Sequence, residues 1–575
     1  MKKLINLFAI ILLFIACSSD DDNDGNAENG NLTLTVTVNE TSEQNAVISW
    51  TLEGNTSPVV YEIVLSGQTV REGYTGSMYN LNGLEETTTY NGVVFAIEQN
   101  GNQTFANFEF TTSLDLTHAG HYVVDTQEKA DNFYFTSISL DLLITNVTDI
   151  SNLASLESVR NLYISDSNLE NLNGLENLTN LNEGPRKIVI TNNQNLEDVS
   201  ALQGIRDQID WLEIKDNPNL ANLDGLGLSE NADRLYVENM AIENFDGILS
   251  PANVWSIWLL DLPNLTSFEG LNNIETIGWF RLEDTPNISS FQGLNSLQAL
   301  NDDLYVDFPI SSLDGLDNLQ SAKSLIFDNL ETLTSLNGAP NLSTIDGDLR
   351  IVDCASFADI GNLDNLQTVV GWLEFKNLPL VNELSFPSLN FTRKLNLEDL
   401  AISNLDGFSN LIEINGGGFP ETFQLIDLPN LNSISGISNL QTNTGRFELN
   451  NLPLLTSLEG FNLVSSGGLE LLYLPNVSDF SPLNSLQYTT WINLGSLDQL
   501  ENMDDLSNLV DSVNEKSIYF YVGGNTNLTD FCGLTNYMQN TVVSDLSGGF
   551  PEYSVFGNGY DPEEWQIESS TDCSL

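Results

Sequence analysis

From about residue 141 onward, the chain repeats one short pattern of apolar and polar positions. Two apolar residues flank a single intervening residue, as in Leu212-Glu213-Ile214, and this alternation is typical of a strand with one buried face. Fifteen such segments begin at Leu162, Ile188, Leu212, Leu235, Ile257, Phe280, Leu304, Leu325, Leu349, Leu373, Leu395, Phe423, Phe447, Leu469 and Ile492. Together with a segment at Leu142 and another near Tyr519, the spacing of 20 to 28 residues predicts about seventeen units.

Each predicted strand is followed by a second pattern, in which apolar residues recur at every third position. The segment 262–271, Leu-Pro-Asn-Leu-Thr-Ser-Phe-Glu-Gly-Leu, is one copy, and Asn, Asp, Pro and Gly supply its turns. One such turn cannot bury its apolar face alone, but stacked turns bury one another. The pattern resembles leucine-rich-repeat solenoids, most closely the receptor L-domain type, over residues 141–531. This resemblance implies a fold, not a function.

Residues 31–113 predict a small β-sandwich ahead of the repeats. Period-two strands begin at Leu32, Val47 and Tyr61, and Gly-Asn and Asn-Gly pairs separate the strands. The segment resembles a fibronectin type III domain, because Trp50 ends a second strand and Tyr90 lies where that family keeps its tyrosine corner. Both side chains are expected in the core. We therefore expect a mainly β protein, with this sandwich followed by the long solenoid.

The N-terminus predicts export and lipid anchoring. Two lysines precede an apolar run that is too short to span a membrane and suits a signal peptide over residues 1–16. The run ends at Cys17, which resembles the lipidated cysteine of bacterial lipoproteins. The acidic stretch within 17–30 resembles the surface-export signal of Bacteroidota lipoproteins, or serves as a flexible tether. We therefore expect a protein exposed on the outer membrane and held there by lipid alone.

Both ends of the solenoid are predicted to be capped. Residues 114–140 form a connector with one short helix over 125–133, where Asp125 and Glu128 have the spacing of a capping box. Residues 532–575 form a C-terminal cap, in which we expect a disulfide between Cys532 and Cys573. The remaining Cys354 is expected to be a buried, small apolar residue.

Charge and motifs exclude several classes of function. The formal net charge of −62 excludes a nucleic-acid-binding protein. Only two histidines exist, His118 and His121, and both are expected to be exposed in the connector without a metal. No nucleophile elbow, phosphate-binding loop or zinc-protease motif is present. We expect no cofactor and no catalytic site. A β-helix polysaccharide-degrading enzyme is the remaining enzymatic alternative, because chance carboxylate pairs are numerous.

The predicted strand register places a set of aromatic and basic residues on the outer face of the sheet. This candidate binding face comprises Trp211, Tyr236, Trp258, Trp279, Arg281, Tyr305, Arg350, Trp372 and Trp491. The face carries five of the eight Trp, and eight of the fourteen Lys and Arg residues between positions 142 and 517. The aromatics form either an interaction surface or stabilising cross-strand pairs. The basic residues form either ion-pair ladders or a face that does not repel an anionic ligand.

The leading functional hypothesis is a non-enzymatic surface protein that binds or adheres through this face. A lipoprotein that captures polysaccharide for an uptake system is the alternative. The expected partner is an extracellular protein or polysaccharide, with the chain itself monomeric.

Overall fold

The computed structural model describes residues 32–306, 308–416, 421–510, 519–540 and 553–575. The predicted signal peptide, Cys17 and the whole of the acidic tether at 17–30 lie outside the described residues. The chain divides into two compact units between Leu116 and Thr117. Every helix within the described ranges is too short or too polar to cross a lipid bilayer.

The first unit is a β-sandwich of two antiparallel sheets. Its strands are β1 (Thr33–Thr41), β2 (Asn45–Glu53), β3 (Val59–Leu65), β4 (Gln68–Tyr74), β5 (Met78–Asn82), β6 (Thr89–Glu98) and β7 (Gln103–Thr111). One sheet has the order β1-β2-β5 and the other β4-β3-β6-β7. Trp50 is buried between the sheets, with its ring centroid 5.2 Å from that of Tyr61. The Tyr90 hydroxyl accepts a hydrogen bond of 2.7 Å from the Glu85 N–H, which fixes the corner before β6.

The second unit is a leucine-rich β-solenoid of about 16 turns, in agreement with the predicted fold class. Its principal strands are β10 (Ser137–Thr145), β11 (Ser158–Ser165), β13 (Lys187–Thr191), β14 (Trp211–Asn217), β15 (Asn231–Met240), β16 (Asn253–Leu260), β17 (Thr276–Glu283), β18 (Ala299–Val306), β19 (Ser321–Asp328), β21 (Leu349–Val352), β22 (Thr368–Leu378), β23 (Phe391–Leu400), β25 (Glu421–Ile426), β26 (Thr442–Asn450), β27 (Ser466–Leu472), β28 (Trp491–Gly495), β29 (Tyr519–Gly523) and β30 (Tyr553–Phe556). The two-residue strands β12 (Asn180–Leu181), β20 (Thr344–Ile345) and β24 (Glu413–Ile414) join the same sheet. Short 3-10 helices occur at Ser151–Ser155, Ser200–Ile205, Ser435–Ile437, Ser481–Ser485, Asp504–Leu506 and Cys532–Leu534.

The parallel register of the sheet confirms the predicted alternation of inward and outward residues. Leu212 is level with Ile188 on one side and Leu235 on the other, and all three side chains are buried. Phe268 and Leu271 belong to the every-third-position pattern and are buried as well. The core is therefore a narrow apolar column that each turn shares with its neighbours.

One backbone conformation explains why Asn and Asp recur after the strands. The residue that leaves the strand adopts the left-handed region, which Asn and Asp tolerate better than other side chains. Thirteen of these positions have φ of 50° to 57°: Asn146, Asp166, Asn192, Asp216, Asn239, Asp261, Asp284, Asn329, Asp353, Asn377, Asp399, Asp427 and Asn451. The sequence bias is thus a requirement of the turn.

The N-terminal end of the solenoid differs in detail from the prediction. Strands β8 (Thr117–His118) and β9 (Tyr122–Val124) pair with β10, so the sheet already begins within the connector. Helix α1 spans only Gln127–Asp131. The capping-box prediction is wrong, because the N-cap is Thr126, whose hydroxyl accepts from the Lys129 N–H. The Asp125 carboxylate instead pairs with the Lys129 ammonium group at 2.8 Å.

The C-terminal end is closed by the predicted disulfide. Cys532 and Cys573 are bonded, with their Cα atoms 5.1 Å apart. Helices α2 (Thr535–Asn540) and α3 (Glu564–Glu568) contact each other beside this bond. Strand β30 pairs with β29 and adds a turn that the repeat pattern did not indicate. Part of the predicted cap, residues 541–552, lies outside the described residues.

Candidate functional site

The structure places the nine predicted face residues on the outer side of one sheet, spread from β14 to β28. Trp211, Trp258, Trp372 and Trp491 are half-buried, as are Tyr236 and Arg350. Trp279 and Tyr305 are exposed, at 52% and 61%, and Arg281 is exposed as well. The residues therefore share a face, but they divide into a packed majority and an open group on β17 and β18.

The packed tryptophans alternate with basic side chains across neighbouring strands. Lys187 Nζ lies 4.1 Å from the centroid of the Trp211 ring, and the Arg234 guanidinium lies 4.2 Å from the same ring. Arg234 also lies 4.6 Å from the Trp258 ring, and the Arg281 guanidinium lies 5.5 Å from it. A cation–indole ladder thus runs over five successive strands. Such contacts stabilise the sheet by about 0.5–1 kcal/mol each at exposed sites.

The two remaining half-buried tryptophans have similar partners. Trp372 lies beneath the Lys394 ammonium group at 4.4 Å and the Arg350 guanidinium at 5.5 Å. Trp491 stacks on Tyr519 with ring centroids 3.8 Å apart, and the Arg446 guanidinium lies 5.7 Å from its ring. These contacts favour the cross-strand interpretation for four of the five face tryptophans.

The basic residues of the face also form ion pairs with acids, mostly on neighbouring strands. Pairs on adjacent strands include Lys215–Glu238 at 2.8 Å, Arg350–Glu374 at 2.6 Å, Lys376–Glu398 at 3.0 Å and Arg446–Glu470 at 2.7 Å. The hydrogen bond to Glu238 raises the pKa of Lys215. Burial and a hydrogen bond to Glu238 likewise raise the pKa of Tyr236, whose ring lies 5.8 Å from Trp258. The ladder interpretation of the positive charge is therefore favoured.

The open group lies beside an interruption in the sheet. Among the described residues, the ladder between β17 and β18 pairs Thr276 with Ala299 and Ile277 with Leu300, and it does not continue past them. Strand β18 remains paired with β19 as far as Val306. The second half of β18 thus follows β19 and separates from β17.

A bulge in β18 accounts for this separation. The step from Leu300 to Asp303 on β18 lies opposite the shorter step from Ala322 to Ser324 on β19. An extra residue bends a strand and disrupts the ladder beside it. Other strands also contain bulges, for example β22 between Val369 and Trp372, where the pairing with both neighbours resumes.

The interruption opens a groove with a volume of about 680 Å³. Trp279 and Tyr305 line it, together with Trp258 and the edges of core residues Phe280 and Val306. Its acidic lining consists of Glu283, Asp302, Asp303 and Asp328. Arg281 also lines the groove and forms an ion pair with Glu283. We call this feature the β17–β18 groove. It combines exposed aromatic rings with hydrogen-bond acceptors, as ligand sites commonly do.

Sequence reasoning missed three residues at or near this groove. Asp302 and Asp303 belong to the bulge, whose signal was the four-residue step from Leu300 to Leu304 in place of the three-residue step from Ile277 to Phe280. Trp255 is 63% exposed on β16 and was missed because the consecutive buried residues Ser256 and Ile257 shift the alternation after it. The neighbouring strand has Gly278 at this point, where a Cβ atom would lie 2.3 Å from the Trp255 carbonyl oxygen and 3.2 Å from its indole.

The remaining residues that the sequence analysis considered are the two histidines and Cys354. His118 is half-buried and His121 is exposed, so the expectation of two exposed histidines was wrong for His118, whose ring packs against Tyr122 and Phe135. Within the described ranges, no group of His, Cys, Asp and Glu could hold a metal ion. Cys354 is buried as predicted, and burial raises the pKa of its thiol.

Comparisons with known proteins give only distant likenesses. No protein-family description and no curated protein matches the chain. A leucine-rich-repeat protein of Leptospira interrogans is similar at 12% identity and a TM-score of 0.24, over 79% of this chain and 100% of that one. A family 28 exopolygalacturonase of Yersinia enterocolitica is similar at 10% identity and a TM-score of 0.14, over 80% and 98% of the two chains. At these scores neither likeness bears on function.

Proposed function

We propose that this chain is a non-enzymatic bacterial surface protein that binds an extracellular ligand through the outer face of its solenoid sheet. The observation that carries the proposal is the pair of exposed aromatic rings, Trp279 and Tyr305, beside the β17–β18 groove. Exposed aromatic side chains at a concave site are the usual anchors of binding energy. The solenoid supports such a role because it presents an extended sheet surface. A ligand can bind to such a surface without a deep, enclosed pocket.

The proposed location is the outer surface of the outer membrane of a Bacteroidota bacterium. The signal-peptide pattern, Cys17 and the acidic stretch that follows it support this placement. We further propose that the N-terminal sandwich is a fibronectin type III-like spacer. The buried Trp50 and the Tyr90–Glu85 hydrogen bond support that assignment. In this arrangement lipid alone anchors the protein.

The proposal is tested by binding screens with residues 32–575. Surface-protein pull-downs and a glycan array would be run in parallel with the Trp279→Ala/Tyr305→Ala variant. Trp565→Ala is the matched control, because Trp565 is 57% exposed but lies on α3 in the C-terminal cap. We expect a ligand that the control retains and the groove variant loses.

Two outcomes would contradict the proposal. A ligand that binds equally to the groove variant would place the contact surface elsewhere. Release of reducing or unsaturated sugar from a polysaccharide would show an enzyme. Polysaccharide capture is the second candidate function, and the exposure of Trp255, Trp279 and Tyr305 on three successive strands favours it, because aromatic rings can stack on sugars.

A further inference from the structure

The β17–β18 groove differs from the rest of the face in how its tryptophan is covered. The other four face tryptophans each have a Lys or Arg side chain over the indole ring, at 4.1 to 5.7 Å. Among the described residues, no such side chain lies over Trp279, whose ring is 52% exposed. The cation–indole contact thus recurs along the sheet, but among the described residues it lacks its Lys or Arg side chain at Trp279.

The charge around Trp279 suits a cation. Asp302, Asp303 and Asp328 line the groove, and within the described part of the chain none of them forms an ion pair. Arg281, the basic residue of the lining, is engaged by Glu283 and by the Trp258 ring. A cation over an indole is stabilised further when carboxylates lie nearby. An anionic polysaccharide would meet uncompensated negative charge here.

We propose that the β17–β18 groove binds a Lys or Arg side chain from a basic segment of a partner polypeptide. The cationic group lies over the Trp279 ring and within reach of Asp302 and Asp303, and Tyr305 contacts the aliphatic part of the side chain. This inference rests on the proposed function, since it names the ligand class of the same face. The overall charge of −62 attracts a basic partner from a distance.

The groove is large enough for more than one side chain. Its volume of about 680 Å³ lies within the range of about 300–1,000 Å³ that is typical of small-ligand sites. The core edges of Phe280 and Val306 add apolar surface for the methylene groups of Lys or Arg. A short basic peptide is therefore a suitable probe.

The test uses N-acetylated, C-amidated tetralysine, with maltotetraose as a neutral probe, and calorimetric titration of residues 32–575 at 150 mM and at 500 mM salt. Trp279→Leu and Asp302→Asn/Asp303→Asn should each weaken tetralysine binding at least tenfold. Trp279→Phe should weaken it less than Trp279→Leu, because it retains an aromatic face. Binding should weaken at the higher salt concentration but should remain dependent on Trp279.

The control Asp364→Asn/Glu383→Gln removes the same charge from exposed positions between strands and should leave the affinity unchanged. Equal losses in this control and in Asp302→Asn/Asp303→Asn would overturn the proposal, because they would show only non-specific attraction. Equal affinities of the Leu and Phe variants would overturn the cation–indole contact. Binding of maltotetraose that depends on Trp279 would assign the groove to a glycan instead.

The two proposals can fail separately. Suppose that Trp279→Ala/Tyr305→Ala abolishes binding of a ligand found in the surface screens, while tetralysine binds the wild type and the groove variants equally. The proposal that the sheet face binds a ligand would then be supported, and the proposal of a cationic ligand would be wrong. If neither the screened ligand nor tetralysine responds to these variants, both proposals are wrong.

Discussion

Trp258 and Trp279 lie on adjacent strands of one face, yet their replacement should affect stability very differently. The Trp258 ring contacts Arg234 and Arg281 at 4.6 and 5.5 Å, and its centroid lies 5.8 Å from that of Tyr236. Each cation–π contact contributes about 0.5–1 kcal/mol and the aromatic pair about 0.5–1.5 kcal/mol. Trp258→Ala should therefore destabilise its turns by about 1.5–3.5 kcal/mol.

Trp279 makes no comparable contact among the described residues, and its ring is more than half exposed. Trp279→Ala should change local stability by less than about 0.5 kcal/mol, as surface substitutions usually do. The destabilisation should be local, because solenoid stability is approximately the sum of neighbouring units. Both variants replace a tryptophan with alanine and differ only in the position that is replaced. Each therefore serves as the control for the other.

Amide hydrogen exchange, followed by mass spectrometry over β15, β16 and β17, would measure this difference. Trp258→Ala should accelerate exchange in these strands by roughly 10- to 400-fold, the factor that corresponds to about 1.5–3.5 kcal/mol. Protection in β26 to β29 should not change. Equal acceleration in both variants, or none in either, would refute the assignment of a packing role to Trp258 and an open role to Trp279.

Three further predictions concern other parts of the chain. Cys532→Ala/Cys573→Ala should lower the stability of the last turns by about 2–5 kcal/mol, seen as early proteolysis near β29 and β30, whereas unchanged protease resistance would argue against the cap. In the sandwich, burial would raise the pKa of Glu98, but hydrogen bonds from Ser57, Thr56 and two asparagine amides lower it from 4.5 to about 2. Because the folded pKa is depressed, the stabilisation is complete above about pH 4.5 and is lost as the pH falls towards 2, so the melting temperatures of the wild type and Glu98→Gln should converge over that window. Parallel melting curves at every pH would contradict this. Cys17→Ala should leave the membrane fraction, and retention there on centrifugation would rule out the lipid anchor.

The repeat pattern predicted the sheet well because the register has a period of two and one face is entirely apolar. Leu212 and Ile214 have no alternative to the core, so Trp211 and Glu213 must face outward. The pairing of Cys532 with Cys573 was predictable for a similar reason, because a solenoid end needs closure. The register of the sheet depends on many residues that impose the same arrangement.

The local departures depend on single residues, and sequence reasoning therefore missed them. One extra residue at Asn301–Asp303 opens the groove, although the same kind of bulge in β22 does not. Thr126 replaced Asp125 as the helix cap because the helix begins one residue later, so the capped N–H is that of Lys129, whose ammonium group pairs with Asp125 instead. The cations over the tryptophans were visible as residues, but their alignment in space became apparent only with the side chains in place.

The central claim, that a ligand contacts the sheet face at the β17–β18 groove, is tested most directly by photo-crosslinking on intact cells. A benzophenone amino acid would be introduced at Tyr305, which lines the groove, and in a second strain at Tyr473, which is similarly exposed but lies in a turn after β27. We expect a ligand adduct from position 305 and none from position 473. Adducts of equal yield from both positions, or from position 473 alone, would contradict a binding site on this face.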